Sequence, residues 1–249
     1  MLSTSLAEVA ESINTMFSSS DVVFAGQTTT GEVPEPVIVP GYYSVSSTAC
    51  HRFQSIRDEP DGVEVTDNLR GNLRSGSAPL RIPFPFPAFG YAPGYQDMAW
   101  SADGTLFLNQ TMGFGNVSPI VSDPTAFFQM DKLPRIQLAQ EDLTVLSVYT
   151  LDKGSSFVLS YEDAIFSNSE NLATRVAQFQ IELYPSGDFE IRWGTMLGSS
   201  TDHISSGIED ESVGLASPAV LDGFFNEFGI TAPGVLPDSQ CNAFTLQRL

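Results

Sequence analysis

Two adjacent carboxylate pairs, Glu162-Asp163 and Glu209-Asp210, are the residues best suited to chemistry. Two carboxylates facing each other across a cleft can hydrolyse a glycosidic bond. The same groups can hold Ca²⁺ together with backbone carbonyls. The plainer reading is that the pairs end strands and face solvent, because no EF-hand or other dense Asp spacing accompanies them. Asp58-Glu-Pro-Asp61 reads as a turn for the same reason. His51 and His203 are the only histidines, and without a His-Glu-x-x-His run or a cysteine cluster they predict no zinc site. No Gly-x-Ser-x-Gly elbow occurs, and nothing in the spacing favours a Ser-His-Asp triad, which assembles in space rather than in sequence. Gly113-Phe-Gly115 lacks the strand–glycine–helix context of a phosphate loop. The expectation is a protein without catalytic residues, metal or cofactor.

Three further groups bear on function. Cys50 and Cys241 show no CxxC or metal spacing. They are either two buried free thiols or one disulfide between segments that form the first and last strands of a domain. Closing so long a loop stabilises by about 4–5 kcal/mol in the chain-entropy picture, and requires an oxidising compartment. Asn109-Gln-Thr111 and Asn116-Val-Ser118 are N-glycosylation sequons following one predicted hairpin, meaningful in a eukaryotic protein and meaningless in a bacterial one. The aromatics Phe84, Phe86, Phe89, Tyr91 and Tyr95 suit a sugar-stacking platform or, more simply, core and corner packing.

These residues sit in a chain of 249 residues with 30 acidic side chains against 11 Lys+Arg, a net charge of -19. Nucleic-acid binding needs clustered cations and is excluded, as is attraction to an anionic lipid surface. No run approaches the length of a membrane span. The hydrophobic fraction, 42 %, is enough for a real core. Only Lys132 and Lys153 are lysines. An acidic, Lys-poor, Ser/Thr-rich chain is soluble and self-repelling, which suits an exposed extracellular protein. The first residues, Met-Leu-Ser-Thr-Ser-Leu, have no basic stretch and no continuous apolar run, so they do not read as a secretory leader.

The elements that must position these groups are mostly strands. Residues 3–17 predict a helix, with Leu6, Val9, Ala10, Ile13, Met16 and Phe17 at helical spacing and Ser5 with Glu8 as a capping box. Asp21–Gly26 predicts a short strand, and residues 27–41 a Pro-rich linker or extended edge segment. From Tyr42 the pattern is strand and turn. Tyr42–Phe53, Gly62–Val65, Leu80–Phe86, Gln96–Trp100, Thr105–Asn109, Leu143–Leu151, Ser156–Tyr161, Arg175–Tyr184, Asp188–Trp193 and Cys241–Leu249 predict strands. Prolines 83, 85 and 87 alternate with the apolar residues of the third of these, which marks an edge or bulged strand. Ser101–Gly104, Asp152–Gly154 and Pro185–Gly187 predict turns, residues 110–142 look irregular, Gly207–Asp210 pairs with Val213–Ala216, and Asp222–Phe228 reads as loop or short helix.

Several segments in order carry a resemblance: Ile82-Pro-Phe-Pro-Phe-Pro-Ala-Phe-Gly90, Ser101-Ala-Asp-Gly-Thr-Leu-Phe107, Phe157-Val-Leu-Ser-Tyr-Glu-Asp163, Phe179-Gln-Ile-Glu-Leu-Tyr-Pro-Ser-Gly-Asp-Phe-Glu-Ile191 and Gly207-Ile-Glu-Asp210. Over roughly residues 42–216 the chain resembles the broad group of extracellular β-sandwich modules that includes nidogen-like domains. The usual Ala-Pro-Phe-Trp-Asp-Asp run of that group has only a poor counterpart, Pro119-Ile-Val-Ser-Asp-Pro124. The resemblance implies a secreted or surface-attached, usually non-catalytic module, and supplies no ligand site.

The resulting expectation is an all-β, jelly-roll-like antiparallel β-sandwich over residues 42–249, preceded by an N-terminal extension, 1–41, of short helix, strand and Pro-rich linker. The extension is too short to fold alone, yet carries Val22, Val23, Phe24, Val37, Ile38 and Val39. It must dock on its own sandwich or on a neighbour. Docking on a neighbour gives head-to-tail self-association into an oligomer or filament. The expected function is a structural subunit of an extracellular or cell-surface assembly. A glycan-binding or adhesion module is the alternative, and an accessory domain of a larger secreted enzyme a third reading.

Overall fold

The computed structural model describes residues 37–39, 43–46, 49–73, 76–90, 93–108, 134–140, 143–166, 176–196, 203–209, 223–229 and 241–246. The helix expected over 3–17, the strand at 21–26 with Val22, Val23 and Phe24, the sequons at Asn109 and Asn116, Tyr91, Gly113, Asp210 and Val213–Ala216 lie outside these residues.

The described residues form two antiparallel sheets in a sandwich-like arrangement. In chain order the strands are β1 (Val37–Val39), β2 (Tyr43–Ser46), β3 (Val63–Glu64), β4 (Ser77–Phe86), β5 (Tyr95–Ser101), β6 (Thr105–Phe107) and β7 (Arg135–Gln140), followed by β8 (Leu143–Asp152), β9 (Phe157–Phe166), β10 (Ala177–Leu183), β11 (Phe189–Met196), β12 (His203–Glu209), β13 (Gly223–Gly229) and β14 (Cys241–Leu246). The first sheet has the order β1-β2-β14-β11-β10-β9-β8-β3, and the second β13-β12-β7-β6-β5-β4. The closing strand β14 therefore lies inside the first sheet, between β2 and β11, rather than at its margin.

Alternation places the core. Along β10 and β11, Phe179, Ile181, Leu183, Phe189, Ile191 and Trp193 belong to the core between the sheets, with Ile82, Phe86, Met98, Trp100 and Leu106 from the second sheet. The polar tips of Tyr161 and Trp193 tie the layers together. Tyr161 donates to the carbonyl of Ser101 at 2.6 Å, and Trp193 Nε1 donates to the carbonyl of Leu138 at 2.9 Å. Such groups are buried without loss only when they find a partner. At one end of the core, Phe189 stacks on Phe244 with ring centroids 4.3 Å apart, and Tyr43 meets both edge-on.

The proline-studded strand β4 is an edge strand, with its register to β5 interrupted between Arg81 and Phe86. Ring nitrogens cannot donate to a ladder, which excludes this sequence from a sheet interior. The hairpins at 101–104 and 185–187 form with Gly104 and Gly187 at positive φ, 77° and 91°. Val37–Val39 pair in the same chain with Tyr43–Ser46, so this part of the extension is the edge strand of the first sheet.

Three segments differ from expectation. Tyr42–Phe53 is not one strand: β2 ends at Ser46, and residues 49–62 run outside the ladders. Residues 135–140, expected to be irregular, are β7, paired with β6 and β12. Of the segment expected to be loop or short helix, the described residues 223–228 are strand, because Gly223–Gly229 pairs along the whole of His203–Glu209. In the last two, long-range pairing supplies an order that local pattern does not show.

Candidate functional site

Residues 49–62 form a strap across the outer face of the first sheet, and it meets the strands in their spatial order. Cys50 is bonded to Cys241 on β14, with Cα atoms 5.9 Å apart. The His51 amide donates to Glu190 Oε2 on β11 at 3.2 Å, and its Nδ1 lies 3.0 Å from the same carboxylate. The Gln54 carbonyl accepts from Gln180 Nε2 on β10 at 2.9 Å. The Ile56 amide donates to Glu162 Oε1 on β9 at 2.9 Å. Arg57 donates to Asp163 on β9 and to Ser147 on β8. The chain then turns through Asp58–Asp61 and joins β8 as β3.

This crossing explains the outward residues of β9, β10 and β11. An irregular segment laid across strands cannot join their ladder, yet its covered amides need acceptors. Glu190, Gln180 and Glu162 project from successive strands and supply them. The outer face is thus polar in sequence but buried in place: Glu162, Gln180, Glu182, Glu190 and Arg192 are all buried.

Arg192 is the centre of the network. Its register partner is Gln180, while Glu182 faces Glu190. Like charges directly opposite oppose pairing, and Arg192 resolves this by donating to both carboxylates, to Glu190 at 2.6 Å. It also donates to Gln180 Oε1 at 3.2 Å. Lys153 Nζ approaches Glu182 at 3.1 Å from the turn after β8, and the Ser156 hydroxyl donates to the same carboxylate. Burial acts to raise the Glu182 carboxyl, but Ser156, Arg192 and Lys153 outweigh it and hold the group below its ordinary range. For Glu190, burial is likewise outweighed by Arg192 and by both bonds from His51. Arg192 is desolvated but raised by its two carboxylates, so it stays charged. Tyr184 is pushed up to about 12, by burial first and then by Glu182 and Glu190.

A pocket of about 320 Å³ opens between strap and sheet. Gln54, Ser55, Ile56, Glu59 and Asp61 form the strap side, and Leu151, Asp152, Lys153, Gln180 and Arg192 the sheet side. It mixes amides, carboxylates and the apolar flanks of Ile56 and Leu151. Its buried cation, Arg192, is already engaged by Glu182 and Glu190, so the pocket offers hydrogen bonds rather than an uncompensated charge.

The expected site residues are dispersed differently. Glu162 does not end a strand or face solvent. It lies within β9, 1 % exposed, and accepts from Ile56 and Ser160. Glu209 belongs to β12 of the second sheet, whereas Glu162 and Asp163 belong to β9 of the first. His51 and His203 are also on different layers, on the strap and on β12. Among the described residues no group of three or more His, Cys, Asp or Glu is placed to hold a metal ion. Phe86 and Phe89 are buried in the core, and Phe84 and Tyr95 pack against it, which removes these four from a sugar platform. Sequence reasoning did not identify Gln180, Glu182, Glu190 and Arg192. Their signal was present: the hairpin at 185–187 sets their register, and four hydrogen-bonding side chains then share one face.

The chain matches no family model, and comparison with curated proteins and with solved structures gives no significant match. Among the described residues no helix is long and apolar enough to cross a membrane.

Proposed function

We propose that this chain is a non-catalytic structural module of an extracellular or cell-surface assembly, a jelly-roll-type relative of the nidogen-like modules that associates head-to-tail through its N-terminal extension. The observation that carries the reading is the edge position of Val37–Val39. The extension leaves the domain from a sheet margin, where strand addition by a neighbour is the natural mode of association. Val22, Val23 and Phe24 are then the residues offered to the next copy, since Val37, Ile38 and Val39 pair within their own chain. The disulfide is consistent with an oxidising compartment.

Light scattering and negative-stain imaging test this. The full chain is expected to form polymers, and a full-length variant carrying Val23→Asp and Phe24→Asp to remain monomeric. Two monomers, or two equal polymers, sink the assembly reading.

A glycan-binding module is the second reading, favoured by the pocket under the strap. Its amides, carboxylates and apolar flanks are the groups that engage hydroxyls and the C–H faces of a pyranose. Titration of the monomer with neutral monosaccharides, compared with Gln54→Ala, separates this reading from the first.

A further inference from the structure

The strap joins a polar face at its start through one covalent bond. We propose that the Cys50–Cys241 disulfide is a redox latch: reduction by a dithiol lifts residues 49–57 from the outer face of the first sheet while the sandwich stays folded.

The argument rests on what lies under the strap. At β14, β11 and β10 its described attachments are the disulfide, hydrogen bonds to Glu190 and Gln180 and the Phe53 ring over Gly194, and at β9 and β8 they are the Ile56 amide on Glu162 and the Arg57 guanidinium on Asp163, Ser147 and the Tyr149 ring. Bonds to water replace most of each such bond when the strap lifts, so each one holds it only in part. The carboxylates of Glu162 and Glu190 and the guanidinium of Arg192 regain hydration when the strap leaves, which offsets part of the bonds lost from His51 and Ile56. Apolar anchorage is small: Ile56 packs with Leu151, Val158 and Tyr149, and the Phe53 ring lies over Gly194. No residue of 49–62 belongs to the main core between the sheets, so that core does not depend on the strap.

The bond is also reachable, because Cys50 is only partly buried at the start of the strap. A thiolate of the dithiol attacks Cys50 Sγ, breaking the S–S bond and releasing the Cys241 thiolate, which takes a proton. The second thiol of the reductant closes the mixed disulfide and frees the Cys50 thiolate, which is protonated in turn. The protein gains two electrons and two protons, and the dithiol leaves as its disulfide. Lifting the strap removes the wall of the pocket made by Gln54, Ser55 and Ile56, and opens Lys153, Gln180 and Arg192 to solvent.

Hydrogen exchange of the full chain tests the latch in three states: oxidised, reduced with dithiothreitol without denaturant, and as the Cys50→Ser variant. The expected result is exchange faster by roughly tenfold or more at the amides of His51, Gln54 and Ile56 in both latch-free states, with β9, β10 and β11 still protected and tryptophan fluorescence unchanged. Cys50→Ser gives the same readout where dithiothreitol fails to reach the bond. Unchanged protection at those three amides in Cys50→Ser overturns the proposal, because hydrogen bonds alone then hold the strap. Loss of protection through β9–β11 also overturns it, because the disulfide is then a staple of the whole fold.

Discussion

Glu182 and Glu190 face each other across the β10–β11 ladder, and their pairing rests on Arg192. Removing one member of a buried ion network leaves an uncompensated charge, which costs far more than the network contributes net. Arg192→Met is therefore expected to destabilise the protein by roughly 3–5 kcal/mol in urea unfolding. A triple variant that also carries Glu182→Gln and Glu190→Gln should recover part of the loss, since neither carboxylate is then stranded as a buried charge. The pH dependence follows from the same geometry. Both carboxyls are held below their ordinary value when folded, so in the acid range the unfolded chain binds more protons and stability rises with pH. Their contribution is fully present above the unfolded value of about 4.3 and is lost as pH falls through the folded values. Urea midpoints measured from pH 7 downward should fall below about pH 4.5, and fall less steeply in Glu182→Gln. A midpoint flat to pH 3 contradicts the assignment.

At the scale of elements, turns fix registers. In the β5–β6 hairpin, Gly104 has φ 77°, and a Cβ there would lie 3.0 Å from the Ala139 carbonyl oxygen and 3.1 Å from the Phe179 ring. Gly154, after β8, has nearly the same φ, 76°, with nothing within 4 Å. The two separate conformation from space. Gly154→Ala should cost only the left-handed penalty, about 1–2 kcal/mol. Gly104→Ala adds the displacement of Phe179 and should cost roughly 2–4 kcal/mol. Equal costs in thermal or urea unfolding would mean that the turn does not press on the opposite sheet. Edges are managed as deliberately as turns. β4 carries Pro79, Pro83 and Pro85, and β3 is only two residues long, Val63–Glu64. Both discourage uncontrolled strand addition.

At the scale of the whole molecule, a net charge of -19 opposes any self-association. Assembly through the extension should therefore strengthen with salt, because the Debye length shrinks from about 30 Å at 0.01 M to about 8 Å at 0.15 M. Light scattering across that range should show the polymer fraction of the full chain rising. A fraction that falls with salt would point to attraction between charges instead of strand pairing and apolar contact.

Much of this fold was legible along the chain. The alternation of Leu80, Ile82, Phe84 and Phe86 with prolines specified an edge strand, and the Gly-containing turns at 101–104, 152–154 and 185–187 specified hairpins, because turn chemistry and period two are local properties. The cysteines left a choice between free thiols and a disulfide, which the fold resolves as a bond between strap and β14. β7 and β13 were not legible, since their strand state comes from partners remote in sequence, such as Thr105 and Gly207 for Gln137. Nor was the meaning of Glu162, Glu190 and Arg192. Sequence by itself determined that Glu190 and Arg192 point away from the core, for they alternate with Phe189, Ile191 and Trp193 in a predicted strand, whereas Glu162 lay just past the predicted end of its strand at Tyr161. Only the tertiary structure decided that this outward face is covered and that its charges are paired. Solvent exposure is set by what crosses a strand, and the covering residues, 49–57, lie more than a hundred positions away in the chain from the Glu162 and Glu190 they meet.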